Sequence, residues 1–167
     1  MRRIVSANAG VSIEDLRGAL SYDSETGHLT WLVKKPGRIR TMAGCVNSRG
    51  YVVLSFNGRQ LKATRVAWAL HYGKWPDGVI DHINHDKQDN RLCNLRDVSV
   101  AVNTQNQVRA MAGSRSSLLG VFPAGSRWAS KLVVNGRRVY LGVFATPEEA
   151  HSAYVEAKRL HHEGCTL

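Results

Sequence analysis

The segment from Val79 to Asn106, VIDHINHDKQDNRLCNLRDVSVAVNTQN, constrains this chain more than any other. It opens as a short apolar strand, Val79-Ile80, which delivers Asp81 and His82 side by side. Polar, turn-forming residues follow, Asp86 and then Asp89-Asn90-Arg91. The chain returns through Leu92, Leu95 and Val98, and a helix is predicted from near Ser99 to Asn106. A hairpin running into a helix can converge Asp81, His82 and Asn103 on one point. A carboxylate, an imidazole and an amide oxygen gathered in this way suit metal-assisted hydrolysis of a phosphodiester.

These elements resemble the HNH nucleases, whose ββα-metal fold is built in this order. The likeness is to the homing-endonuclease branch found in phages and mobile introns. Its signature appears as Asp81-His82-Ile83-Asn84, Asp89-Asn90-Arg91, Asn94-Leu95-Arg96 and Asn103 to Asn106. His82 and Asn94 are twelve positions apart, and Asn94 and Asn103 nine, as the family pattern requires. The last position is Asn103 instead of the founding His, as is usual in this branch, and His85 stands where a small turn residue is more common.

The resemblance implies a DNA endonuclease in which His82 is the general base and Asp81 and Asn103 hold a divalent metal. A neutral imidazole near pH 6.5 can take a proton from water. Along a strand Asp81 points away from His82, which leaves the carboxylate to the cation and the imidazole to the water. Oxygen donors favour a hard ion, so Mg²⁺ is expected, with Mn²⁺ able to substitute. Asn94 joins His82 in the catalytic set through its amide, which bridges the hairpin and orients the histidine. Arg91 and Arg96 either clamp phosphate or pair with Asp86, Asp89 or Asp97. Cys45, Cys93 and Cys165 lack a C-x-x-C pair, which argues against a disulfide framework or structural zinc. His71, His151, His161 and His162 read as peripheral, the last three solvated on a terminal helix.

Charge agrees with a polyanionic partner. The net charge is +10, and 43% of the residues are hydrophobic, enough for a core. Residues 1–75 carry +8, residues 76–110 carry −1 and residues 111–167 carry +3, so basic flanks surround a near-neutral centre. No apolar run approaches a membrane span, and Met1-Arg2-Arg3-Ile4 does not begin a secretory signal. A cytoplasmic protein is expected, in the host cytoplasm if phage-encoded, with double-stranded DNA as partner, no small-molecule cofactor, and a monomeric or weakly dimeric state.

The fold class expected is α+β, in three parts. Residues 1–110 form the nuclease region, with a basic α+β leader (1–75) before the ββα-metal motif (76–110). In the leader, Ser12 caps a helix, His28 to Val33 form a strand, and Asn57-Gly58 turns a hairpin between Tyr51–Phe56 and Arg59–Thr64. Arg65 to Tyr72 read as a helix stopped by Gly73, and Trp68 and Trp75 as packing against the nuclease hairpin. Lys34 to Arg40 is a basic loop, read equally as a phosphate-contacting arm or a solvated connection. Residues 111–117 are a linker, and Arg109 and Arg115 near it suit backbone phosphates.

Residues 118–167 show three strands, Leu119–Phe122, Arg127–Val134 and Arg137–Phe144, then a helix capped at Thr146-Pro147-Glu148-Glu149. With G-V-F, R-W-A-S and R-V-Y-L-G-V-F, this resembles the plant ethylene-response-factor (Apetala-two) DNA-binding domain, whose sheet lies in the major groove. Alternation turns Trp128, Ser130, Leu132, Val139 and Leu141 towards the helix. It turns Arg127, Lys131, Arg138 and Tyr140 towards DNA. Phe122 and Val133 fall where that family carries arginines. The competing reading is a non-catalytic, sequence-specific DNA-binding protein with a vestigial nuclease fold.

Overall fold

A computed structural model describes residues 10–32, 41–107, 110 and 115–166. The basic loop of residues 34–40 and Arg109 lie outside the described residues. The chain forms two compact units, residues 1–99 and 100–167.

In the first unit, helix α1 (Ile13–Ala19) starts where Ser12 Oγ accepts the Asp15 amide at 3.0 Å. Strand β1 (Leu20–Tyr22) follows directly and pairs antiparallel with β2 (Leu29–Trp31). A three-stranded sheet comes next, ordered β3 (Cys45–Val46), β4 (Val52–Phe56), β5 (Arg59–Lys62). Asn57 and Gly58 turn its hairpin at φ 49° and 75°, the left-handed pair that matches the twist of the flanking strands. Helix α2 (Ala63–Tyr72) stops at Gly73, whose φ of 69° only glycine adopts without strain. Its buried face is mostly small or β-branched, with Val66, Ala67 and Ala69 fully covered. That allows close approach to Leu16, Leu20, Leu54 and Leu61 in one core.

On this base sits a second hairpin, β6 (Val79–His82) antiparallel to β7 (Leu95–Val98), with a 3₁₀ turn at Leu92–Asn94. Polar ties fasten it to the rest of the unit. Arg65 donates to the Gly78 and Pro76 carbonyls at 2.8 and 3.2 Å, Tyr22 Oη to the Asn90 carbonyl at 2.8 Å, and the Leu92 amide to the Ser24 carbonyl at 3.1 Å. Trp75 packs on the core and donates to the Val11 carbonyl, while Trp68 packs on Tyr72.

In the second unit, α3 (Val100–Gln105) is tied by its C-terminal end to the end of the chain. The Gly164 amide donates to Gln105 Oε1, Thr166 Oγ1 to Asn106 Oδ1, and Lys158 Nζ to the Gln107 carbonyl. The sheet runs β10 (Arg137–Phe144), β9 (Arg127–Val134), β8 (Val121–Ala124), with α4 (Pro147–His161) packed on it. Thr146 and Glu149 form a reciprocal capping box at the start of α4. Strict alternation fails at one place. The register slips between Tyr140 and Gly142, so Leu141 is a bulge residue, and Gly142 and Phe144 pair with Ser130 and Trp128 and share their face. His151 and His162 are half-buried and not fully solvated. Their ring nitrogens bond the Leu119 and Val133 carbonyls at 2.9 and 2.8 Å and fasten the helix region to the sheet. No helix among the described residues is long and apolar enough to cross a membrane.

Candidate active site

The antiparallel register sets Asp81 opposite Arg96 and His82 opposite Leu95, so acid and imidazole leave the hairpin on opposite faces. Asp81, His82, Asn90 and Asn94 are 8, 5, 4 and 5% exposed, an unusual density of buried polar side chains for one small hairpin. Each of them has a partner, as burial demands.

His82 Nε2 lies 3.3 Å from Asn90 Oδ1. An amide oxygen can only accept, so this contact calls for the tautomer with the proton on Nε2 and the lone pair on Nδ1. Burial pulls the His82 pKa below 6.5, opposed by the Asn90 hydrogen bond and by Asp81, Asp86 and Asp89. The imidazole is therefore neutral at neutral pH, the form a proton acceptor needs.

Asn94 sits in the 3₁₀ turn and grips the hairpin backbone on both sides. Its Oδ1 accepts the Asn84 amide at 2.9 Å, its Nδ2 donates to the Asp89 carbonyl at 2.8 Å, and its own carbonyl accepts the Ile83 amide. The side chain facing His82 Nε2 is thus Asn90, whose part sequence reasoning missed. Its only sequence signal is its place in the Asp89-Asn90-Arg91 run.

The loop between the strands is a chain of side-chain-to-backbone turns. Asn84 accepts from the Asp86 amide and Asp86 from the Gln88 amide, both at 2.9 Å. His85 takes the left-handed conformation, φ 65°, which favours a small residue at that position. Asp89 receives both prongs of Arg91 at 2.8 and 2.7 Å, which holds its carboxyl down at about 2. Gly27, at φ 75°, lets this loop approach. A Cβ there would lie 2.5 Å from the Arg91 nitrogen and 2.6 Å from the Asn90 carbonyl carbon.

Asp81 is claimed by Arg96. Nε and Nη2 both donate to Oδ2, at 3.0 and 2.8 Å. Arg96 and Arg91 are therefore both committed to carboxylates, and the partner of Arg96 is Asp81, its direct cross-strand neighbour. Asp97 instead accepts the Asp77 and Gly78 amides. Among the described residues no three His, Cys, Asp or Glu side chains are gathered as a metal-binding group, and the three cysteines are free. Asp81 and Asn103 each offer an oxygen donor of the kind a hard cation takes, and they belong to different units. Asn103 is half-buried on α3, in the second unit, and Arg115 is exposed there. Arg127, Lys131, Arg138 and Tyr140 share the sheet face that carries exposed Phe122, Val133 and Val143, and Lys131 Nζ stands 4.1 Å over the Phe122 ring.

No curated protein and no solved structure matches the chain significantly. Residues 62–105, which run from the end of β5 through α2, both strands of the second hairpin and α3, match the family model described as HNH endonuclease. About a quarter of the chain, residues 62–105, is thus similar to the HNH endonuclease family.

Proposed function

We propose that the protein is a divalent-metal-dependent DNA endonuclease of the homing type, with His82 as general base and Asp81 and Asn103 as metal ligands. The observation that carries this reading is the buried, neutral His82 held by Asn90 inside the segment that matches the HNH family. The reaction needs a water proton to reach His82 Nδ1 as the water oxygen bonds to phosphorus. The P–O3′ bond then breaks, and its electron pair leaves on O3′, which takes a proton from solvent. Asn90 fixes the tautomer, and Asn94 keeps the two strands in the register that separates acid from base. A Mg²⁺ or Mn²⁺ ion held by Asp81 and Asn103 would stabilise charge on the phosphate and the leaving oxygen.

The second unit is proposed to bind duplex DNA through the sheet face bearing Arg127, Lys131, Arg138 and Tyr140, with Arg109 and Arg115 on the phosphate backbone. Three antiparallel strands backed by one helix support the ethylene-response-factor-like reading of residues 118–167. They follow a nuclease region of residues 1–110 and a linker of residues 111–117. One active site per chain suits a nicking monomer, with double-strand cleavage left to a weak dimer. The Arg96–Asp81 ion pair favours the alternative, a DNA-binding protein with a vestigial nuclease fold, because it occupies a carboxylate oxygen a metal would use. Supercoiled plasmid incubated with Mg²⁺ or with chelator separates the two. Metal-dependent nicking supports the endonuclease, and binding without cleavage in either condition supports the alternative.

A further inference from the structure

Tyr51, between the Asn47 turn and β4, stands beside the imidazole, with its ring centre 6.2 Å from that of His82. Two ammonium groups address this ring, Lys62 Nζ at 4.4 Å and Lys87 Nζ at 4.9 Å from its centre. They come from distant parts of the first unit: Lys62 ends β5 just before α2, whereas Lys87 belongs to the β6–β7 loop. Both lie within about 9 Å of each other, since both lie so close to one ring.

The arrangement is fastened. Asn47 Oδ1 accepts the Arg49 and Tyr51 amides at 3.0 and 3.1 Å, closing a turn in which Gly50 adopts φ 83°. Lys87 Nζ donates to the Arg49 carbonyl at 3.0 Å, latching that turn to the nuclease hairpin. Arg49, Lys62 and Lys87 are all exposed, and none takes part in a salt bridge among the described residues. Burial of its stem and the cations Arg65, Arg49 and Lys87 all pull the Lys62 pKa down. These neighbouring cations thus repel Lys62. Gathering like charges without a counter-charge costs folding free energy, and an arriving anion recovers that cost. Arg65 is spent on the Gly78 and Pro76 carbonyls, so the cations available to an anion are Lys62, Lys87 and Arg49.

We infer that Lys62 and Lys87 over the Tyr51 ring, with Arg49 on the turn that Lys87 latches, form a seat for a backbone phosphate of the DNA strand next to the one attacked at His82. This rests on the endonuclease reading for the identity of the substrate. Occupying the seat would set the strand's register against the imidazole, because the same Tyr51 ring neighbours both ammonium groups and His82.

The test is binding of a labelled duplex by the full chain in chelator, followed by fluorescence anisotropy from 50 to 200 mM salt. Lys62→Ala removes a side chain that makes no helix-capping hydrogen bond, so the fold should persist, checked by an unchanged melting curve. Removing one cation from a phosphate lowers the salt slope by about 0.9, so the affinity change across that range shrinks about 3.5-fold. Lys62→Ala should show one such step and Lys62→Ala/Lys87→Ala about two, whereas Lys62→Arg should restore the slope. Lys74→Ala, a control whose ammonium faces Asp77 at 3.8 Å, should leave it unchanged. An unchanged slope in Lys62→Ala, or an equal drop in Lys74→Ala, overturns the seat. Wild-type plasmid nicking with Mg²⁺, run in parallel, judges the endonuclease reading separately, since the slope is measured without cleavage.

Discussion

Replacing Asn90 by Asp converts the amide that faces His82 into a carboxylate without changing its size. The group stays within 3.3 Å of Nε2 and remains buried, so its negative charge acts on the ring with little screening. In the wild-type protein burial holds the His82 pKa below 6.5. With His82 as the proposed base, the neutral form is present above that depressed pKa and lost as pH falls through it, so the acid limb of cleavage should lie below 6.5. An opposite charge at this distance moves an ionisable group by about one to three pH units, here upward because imidazolium is favoured. The acid limb of Asn90→Asp should therefore rise by about one pH unit or more, read from single-turnover nicking across pH. Asn90→Ala supplies the stability side of the same interaction. Losing the partner of a buried ring nitrogen should cost about 1–3 kcal/mol in urea unfolding. The depressed pKa also predicts that stability declines as pH falls below 6.5, since the unfolded chain takes up that proton first. An acid limb in Asn90→Asp that coincides with wild type would show that His82 is not the titrating base.

Three further outcomes follow from the geometry. Gly27→Ala meets backbone atoms at 2.5 and 2.6 Å and a left-handed φ, so it should lower stability by about 3 kcal/mol or more in thermal unfolding; a loss below about 1 kcal/mol would refute the close approach. Arg96→Ala strands a buried carboxylate and should cost about 2 kcal/mol without metal, with Mg²⁺ restoring part of the melting temperature. Failure of Mg²⁺ to rescue this variant would count against Asp81 as a ligand. Arg138→Ala should weaken preference for target over random duplex more than it slows cutting, and an equal loss on both would reduce Arg138 to a phosphate-binding role.

Local chemistry made much of the fold legible. The left-handed pairs Asn57-Gly58 and Asn135-Gly136, the Ser12 cap, the Thr146 box and the Gly73 stop each depend on a few adjacent residues, and each stands where the sequence puts it. The second hairpin was legible for the same reason, since its register follows from two short apolar runs and a turn-rich loop. Interactions set by the path of the chain were not. Whether His82 faces Asn90 or Asn94 depends on how the β6–β7 loop curls, and that curl depends on Gly27, more than fifty residues earlier. Arg96 had three acids near it in sequence, yet pairing across the sheet selects Asp81. The β1 and β3 strands are too short to leave a periodic pattern, and the Leu141 bulge shows no local mark beyond the following glycine. Similarly, α3 reads as the last piece of the nuclease motif, while its hydrogen bonds to the final residues place it in the second unit.

The measurement that bears most directly on the function is the nicking rate of wild type and His82→Ala at saturating Mg²⁺, with matched melting curves and a chelator control. Wild type should nick only with the metal, and His82→Ala should be slower by about 10²- to 10⁴-fold, the range a general base contributes. A folded His82→Ala that nicks within about threefold of wild type would contradict the assignment of the base and, with it, the account of the site.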